Sequence, residues 1–157
     1  MKKNLILGLL IIVFSSCKPQ QSATNTQLDH KSEVGIKGDW TLVSVNYPGS
    51  QYIKVNSFDI ADSKCFVGSS WKFISNDNKG TMALNNSNCT SFSSPITWFI
   101  NKEGFFVMKI TNGEKSKKVV DGYVLSVANQ TATSFQLIDK VNVGGQMTDV
   151  IYQFQKN

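Results

Sequence analysis

The sequence predicts an all-β domain, folded as an antiparallel up-and-down barrel of about eight strands. Three observations support this prediction. Segments of alternating apolar and polar residues recur from Gly38 to the C-terminus, turn residues separate them at short intervals, and no stretch after Gly38 has the 3.6-residue period of an amphipathic helix. A sheet of this size must close or be covered to protect its edge strands, and a barrel closes it.

The strand segments can be read in order along the chain. They lie at 40–45, 67–74, 106–111, 122–127, 135–138 and 149–155. The first is rich in β-branched residues, which favour strands. The last is the clearest, because Val150, Tyr152 and Phe154 form an apolar face between mostly polar neighbours.

Turn signals join these segments into hairpins. Asn and Gly, which supply the positive φ values of tight turns, recur at 76–80, 101–104, 112–113, 128–132 and 142–145. The stretch near 57–64 is the least strand-like part of the domain. We expect a short helix or a lid-like loop there.

The N-terminus has the features of a targeting signal. Lys2 and Lys3 precede an apolar run of ten residues at 5–14, which is too short to span a bilayer as a helix but fits the core of a signal peptide. The run ends in Ser15-Ser16-Cys17 and resembles a bacterial lipoprotein signal. This resemblance implies cleavage before Cys17 and acylation of that cysteine, with palmitate among the expected chains. The alternative is an ordinary secretory signal with an incidental cysteine.

These features predict three parts of the chain. Residues 1–16 form the signal peptide, 17–36 the lipidated cysteine and a flexible polar tether, and 37–157 the barrel domain. The residue after Cys17 is Lys18 rather than the Asp that retains many lipoproteins in the inner membrane. We therefore expect a lipid anchor in the outer membrane, facing either the periplasm or the cell surface.

Composition excludes several classes of function. The 157 residues include 16 basic side chains, all of them Lys, and a single histidine, His30. Without Arg, bidentate recognition of phosphate or guanine is absent, and no basic stripe with interleaved aromatics suggests a nucleic-acid surface. Residues 37–157 contain no histidine, so neither His-based catalysis nor a His-ligated metal is expected. We expect no metal and no cofactor.

The start of the domain carries a family signature. Gly38-Asp39-Trp40 opens the first strand, and lipocalins carry a Gly-x-Trp in that place. More closely, the chain resembles the lipocalin-like lipoproteins of the Bacteroidetes. The matching segments are 65–73, 96–98, 122–125 and 151–154. The resemblance implies a barrel in which Trp40 packs across the closed end. The Arg that many lipocalins stack over this Trp is missing, and Lys156 or Lys140 could partly substitute.

Two cysteines remain in the domain, Cys65 and Cys89. In an exported protein they can form a disulfide, since two intervening strands could return the second cysteine near the first. Closing this loop would contribute roughly 3 kcal/mol in the chain-entropy model. The alternative is two free buried thiols.

The aromatic residues are the candidate binding site. Alternation places on one side Trp71, Phe73, Trp98, Phe106, Met108, Tyr123, Phe135 and Tyr152. As a cavity lining they suit a small apolar ligand, bound without catalysis. Alternatively, the same side chains fill the barrel, and the protein is an accessory outer-membrane lipoprotein that docks to an envelope protein. An enzyme at the barrel mouth, with Asp121 or Asp139 beside Tyr123, is a weaker alternative.

Overall fold

The computed structural model describes residues 32–48, 54–119 and 122–157. Ten strands follow one another along the chain. They are β1 (Gly38–Asn46), β2 (Asn56–Ser57), β3 (Ala61–Asp62), β4 (Ser70–Ile74), β5 (Lys79–Leu84), β6 (Phe92–Ile100), β7 (Phe105–Ile110), β8 (Tyr123–Ala128), β9 (Ser134–Val143) and β10 (Gln146–Lys156). Eight of them form a closed antiparallel barrel in the order β1-β10-β9-β8-β7-β6-β5-β4. The predicted all-β barrel of about eight strands is therefore confirmed.

The barrel closes through its first strand. β1 pairs with β10 on one side and with β4 on the other, so that Trp40 lies opposite both Lys156 and Trp71. The register of β1 against β10 shifts between Leu42 and Ser44. Such a bulge bends the strand and increases its twist, which favours closure of the sheet.

The long connection between β1 and β4 covers one end of the barrel, which we call the open end. It contains the small β2–β3 hairpin and a short 3₁₀ helix, Ser63–Phe66. The sequence left a helix and a loop as alternatives for 57–64. The structure contains both. A tight hairpin turn lies at the start of this stretch, and the 3₁₀ helix begins near the end of the stretch.

The opposite, closed end is sealed by residues 32–36, which form a short helical turn before β1. Its Ile36 is fully buried, the Ser32 carbonyl accepts a hydrogen bond from Gln130 Nε2 at 2.9 Å, and the Glu33 carboxylate accepts one from the backbone N–H of Ile100 at 3.0 Å. The sequence placed these residues at the end of the polar tether. That part of the prediction needs correction, because one apolar side chain and two polar contacts attach them to the barrel. Residues 17–31 of the tether lie outside the described residues.

The interior of the barrel holds one continuous hydrophobic core. It runs from Ile36 and Trp40 at the closed end to Phe58 and Phe66 at the open end. None of the helices in the described ranges is long and apolar enough to span a membrane.

Candidate functional site

The residues predicted to line the site do share the inner wall of the barrel. Seven are buried and Tyr123 is partly buried. They come from every strand of the barrel except β1 and β5: Trp71 and Phe73 (β4), Trp98 (β6), Phe106 and Met108 (β7), Tyr123 (β8), Phe135 (β9) and Tyr152 (β10). Met82, which was not among the predicted residues, adds the inner face of β5. Whether any of them binds a ligand stays a prediction.

Rings of these residues pack against one another in the half of the barrel near the closed end. Phe135 stacks on Phe154 with ring centroids 4.6 Å apart, and Trp98 stacks on Phe106 at 5.5 Å. Phe73 lies between the two pairs, with edge contacts to both. This aromatic packing fills the space between the strands, so a ligand could enter only nearer the open end.

The ring of Phe58 fills the barrel at the open end. Phe58 lies on the turn between β2 and β3, and its side chain is buried although its backbone is in a loop. Its ring centroid lies 5.1 Å from that of Tyr123, 5.3 Å from those of Tyr152 and Phe66, and 6.3 Å from that of Trp71. The hairpin therefore acts as a lid whose apolar tip reaches the predicted binding residues.

Hydroxyl groups lie beside this lid. The Ser57 and Tyr152 hydroxyls form a hydrogen bond of 2.5 Å, and the Tyr47 and Ser63 hydroxyls form another. Burial raises the pKa of the Tyr152 hydroxyl well above its usual value, and it also raises that of Tyr47. Both phenols are therefore neutral at physiological pH, and they can donate or accept hydrogen bonds at the mouth of the barrel.

A carboxylate also faces the mouth. Asp139 continues the inward face of β9 after Leu137, and it lies opposite Val150, which is fully buried. Burial raises the pKa of its carboxyl group, although the backbone N–H of Lys140 opposes the shift. The sequence considered this residue only for catalysis, beside Tyr123. The other candidate for that role, Asp121, lies outside the described residues.

The two predicted structural features of the domain are present. Cys65, in the 3₁₀ helix, forms a disulfide with Cys89, in the loop between β5 and β6. Trp40 is fully buried, and its indole N–H donates to the Ile36 carbonyl at 2.7 Å. Gly38 has a φ of 127°, a backbone conformation that favours glycine. The signature pair therefore positions Trp40 across the closed end. Cys17 lies outside the described residues.

Two grooves among the described residues lie on the outer wall. One, of about 370 Å³, crosses β1, β4, β5 and β6, and is lined by Asp39, Ser70, Trp71, Lys72, Thr81, Met82, Ala83, Ser93, Ser94, Pro95 and Asn157. The other, of about 260 Å³, lies between the loop after β7 and the wall of β6 and β7. It is lined by Thr97, Phe99, Val107, Lys109, Ser116 and Lys117. Both lie outside the barrel, and neither is the interior site that the sequence predicts.

Within the described ranges, no group of His, Cys, Asp and Glu side chains is arranged to hold a metal ion. The acidic side chains of these ranges pair with lysines at the surface in three places. These pairs are Asp39 with Lys72, Asp77 with Lys79, and Asp149 with Lys140.

Sequence reasoning missed the lid residue and its polar neighbours. Phe58, Ser57 and Tyr47 lie in or beside the stretch without alternation, so periodicity could not assign them to the inner face. One signal was available, because Phe58 is a large apolar residue between polar neighbours in a loop. Burial of such a phenylalanine ring is favourable, and the nearest apolar region is the interior at the end of the barrel.

Comparison with known families agrees with this geometry. A family model described as a lipocalin-like domain matches residues 36–137, which is more than half of the chain. The chain therefore belongs to the lipocalin-like domain family. Barrels of this kind typically enclose one small ligand.

Solved structures of odorant-binding proteins are similar to this chain. A bovine odorant-binding protein in complex with a selenium-containing odorant is 12% identical, with a TM-score of 0.45, over 76% of this chain and 72% of that chain. The odorant-binding protein from bovine nasal mucosa is also 12% identical, with a TM-score of 0.43, over 78% and 72%. The comparison with curated proteins gives no match.

Proposed function

We propose that the barrel binds a small, largely apolar molecule at its open end, without catalysis, in the place now occupied by the Phe58 ring. The observation that carries this proposal is the position of that ring. It contacts two of the predicted binding residues, Tyr123 and Tyr152, through close aromatic contacts and a third, Trp71, at 6.3 Å. A ligand that displaces Phe58 would meet the same apolar surroundings.

The backbone of the lid favours displacement. Phe58 and Asp59 have φ values of 54° and 53°, and they are the two central residues of the turn that the Ile60 N–H closes on the Ser57 carbonyl, within the three-residue loop between β2 and β3. Such turns prefer Asn and Gly, and a left-handed conformation costs an L-residue with a bulky side chain roughly 1–2 kcal/mol. A ligand-induced opening of the turn itself would release this strain, which would offset part of the cost of removing the ring from the core.

The surroundings of Phe58 define the kind of ligand. The half of the barrel near the closed end is filled by aromatic side chains of the strands. The space available to a ligand is therefore about that of one aromatic side chain, the ring of Phe58. The hydroxyls of Ser57 and Tyr152 could each form a hydrogen bond once their mutual bond opens. The best fit is therefore a compact apolar molecule, about one ring in size, with one polar group.

The cysteines and phenols of the domain do not suit catalysis. The sequence from residue 37 onward contains no histidine, and the domain's two cysteines are joined in a disulfide. The phenols at the mouth have raised pKa values, so they are poor bases at neutral pH. These groups suit binding better than proton transfer.

Binding can be tested with an apolar fluorescent probe, using the intrinsic tryptophan fluorescence, to which Trp71 contributes, as a second readout. Phe58→Ala should bind the probe about tenfold more tightly than the wild type, because the competing ring is absent. Phe99→Ala, on the outer wall, is the matched control and should leave the affinity unchanged. If neither the wild type nor Phe58→Ala binds any apolar probe, the proposal fails.

We further propose that Cys17 carries the lipid anchor and that the protein resides in the outer membrane of the cell envelope. The support is the signal-like N-terminus, the Ser15-Ser16-Cys17 sequence and Lys18 after it. Two acyl chains or more would anchor the chain stably, where a single chain would not. Cys17→Ser should abolish labelling by radioactive palmitate and make the protein extractable from the membrane fraction with high salt. A variant that lacks both the label and the signal peptide and still resists this extraction would contradict the anchor.

A second candidate function follows from the filled interior. If the barrel takes no ligand, it would act through its outer wall as an accessory lipoprotein that docks to an envelope protein. The groove of about 370 Å³, with small side chains such as Ser70, Ala83 and Ser93 on its surface, supports this alternative. Ala83→Trp would fill that groove. If the protein docks through this groove, Ala83→Trp should impair the function of the cell envelope. Phe58→Ala, which leaves the groove unchanged, should not impair it.

A further inference from the structure

Four apolar side chains, three of them exposed and Val107 partly exposed, lie on the outer wall across three neighbouring strands. Phe99 of β6 is paired with Val107 of β7, and Val107 is paired with Val124 of β8. Phe99 is 44% exposed and Val124 is 57% exposed, and Phe105, at the start of β7, is 39% exposed. We call these four residues the apolar row. A contiguous apolar surface of this kind marks an interaction site.

Two lysines lie beside the apolar row. Lys109 and Lys117 line the groove of about 260 Å³ that has Phe99 and Val107 on its floor. The Lys109 ammonium group donates to the Val119 carbonyl at 2.8 Å, which holds the loop after β7 along the outer wall. The segment 99–119 that forms this wall and its loop has five lysines and two glutamates, a net charge of +3.

The chain enters the barrel beside this face. Glu33 accepts a hydrogen bond from the backbone N–H of Ile100, which is the residue after Phe99. Between Cys17 and Ser32 there are 14 residues, which reach at most about 45 Å when extended, at about 3.3 Å per residue. A lipid anchor at Cys17 would therefore hold the apolar row close to the membrane that contains it.

We propose that the apolar row and its lysines dock on the surface of an anionic phospholipid bilayer. The apolar side chains would enter the region between headgroups and acyl chains, and the lysines would bind the phosphate groups. This inference rests on the proposed membrane anchor at Cys17. The docked barrel would lie on its side, with its open end accessible to a ligand from the aqueous phase.

Vesicle sedimentation tests the proposal directly. All barrel strands and the disulfide lie after residue 32, so the chain from residue 18 to 157 keeps the barrel but lacks the acylated cysteine. We expect this protein to sediment with vesicles of phosphatidylglycerol and phosphatidylcholine, and to bind pure phosphatidylcholine about tenfold more weakly. Binding should weaken as the salt concentration rises, since salt screens the lysines.

Matched variants identify the face. Phe99→Ser and the pair Lys117→Glu with Lys118→Glu should each weaken binding about tenfold or more. Val43→Ser, at the same 44% exposure on β1, and the pair Lys54→Glu with Lys64→Glu at the open end are the controls and should bind like the unchanged protein. All of these residues are exposed, and circular dichroism verifies that each variant is folded.

Two results would overturn the inference. One is the absence of binding to anionic vesicles. A cross-link from Phe99 to an envelope protein in cells, without such binding, would assign the apolar row to a protein partner instead. The other is an equal loss of binding in the face variants and the controls. Neither result bears on the apolar probe at Phe58 or on the fractionation of Cys17→Ser, so failure of this inference is distinguishable from failure of the proposed function.

Discussion

The ammonium group of Lys156 lies 5.5 Å from the centroid of the Trp40 ring. Lys156 is also the residue opposite Trp40 in the pairing of β1 with β10. The cation therefore covers the ring at the seam where the barrel closes. Lys140, the other candidate from the sequence, instead pairs with Asp149 at 2.7 Å on the outer face. The sequence could name the two candidates, but only the register selects between them.

This contact predicts the effect of changing Lys156. Lys156→Ala should lower the free energy of unfolding by about 0.5–1 kcal/mol, the usual value for an exposed cation over a ring. Lys156→Arg should retain or exceed wild-type stability, because the planar guanidinium group stacks better on an indole. Urea denaturation measures both. The changes should coincide with a shift in tryptophan emission, which Lys140→Ala should not cause.

Gly80 of β5 is predicted to be intolerant of any side chain. It lies opposite Phe73 of β4, and a Cβ atom there would overlap the Lys72 carbonyl oxygen and lie 3.0 Å from Ile96 Cγ1. Gly80→Ala should therefore cost about 1–3 kcal/mol through overpacking and displacement of the strand. Thermal denaturation gives the measurement.

Gly122 provides the matched control for Gly80. A Cβ atom at Gly122 would make only ordinary contacts, the nearest at 3.7 Å from the side chain of Lys109 and the carbonyl of Met108. Gly122→Ala should be neutral or slightly stabilising, because it reduces the freedom of the unfolded chain. Equal losses for the two substitutions would show that the carbonyl of Lys72 is not the cause.

The disulfide is predicted to stabilise the open end of the barrel. It joins the 3₁₀ helix that carries the buried Phe66 to the loop before β6, across a sequence separation of 24 residues. Replacing Cys65 and Cys89 together by Ser should cost roughly 3 kcal/mol, the chain-entropy value for such a loop.

Denaturation with and without a reducing agent isolates this contribution. The wild type should lose stability on reduction and approach the double variant, which should not respond to the reducing agent. Free thiols in the oxidised wild type, detected by mass spectrometry under non-reducing conditions, would contradict the bridge.

The barrel could be predicted from the sequence because its signals are local. Alternation places residues such as Phe135 and Tyr152 on one face of a strand whatever the strand pairs with, and Asn and Gly mark the turns. The interior packing could not be predicted in the same way. Whether Phe73 lines a cavity or fills it depends on contacts between strands far apart in the sequence, and on a lid residue, Phe58, that no periodicity identifies.

The helical turn at 32–36 illustrates the same limit. Its sequence is mostly polar, which suggested a tether, but its attachment depends on Ile36 and on partners in β6 and in the loop after β8. Such long-range partners cannot be identified from a segment of five residues.

Asp139 is predicted to make stability depend on pH. Burial raises the pKa of its carboxyl group above the ordinary value of 3.8. Between that value and the raised one, the folded protein holds a proton that the unfolded chain has lost. The free energy of unfolding therefore falls as the pH rises through this window, and the loss persists at neutral pH. Asp139→Asn removes the charge and should be more stable than the wild type at pH 7, with no difference below the ordinary pKa.

Melting temperatures measured from acid to neutral pH test this prediction, with Asp149→Asn as the control. Asp149 lies on the outer face of the same hairpin and pairs with Lys140. Its replacement should leave stability unchanged or lower it by up to about 1 kcal/mol at neutral pH, as for other surface ion pairs. A gain of stability for Asp139→Asn and a loss for Asp149→Asn, on neighbouring strands, would identify the inward carboxylate as the buried one. A wild type and an Asp139→Asn variant with the same pH dependence would instead mean that Asp139 is solvated in the mouth of the barrel.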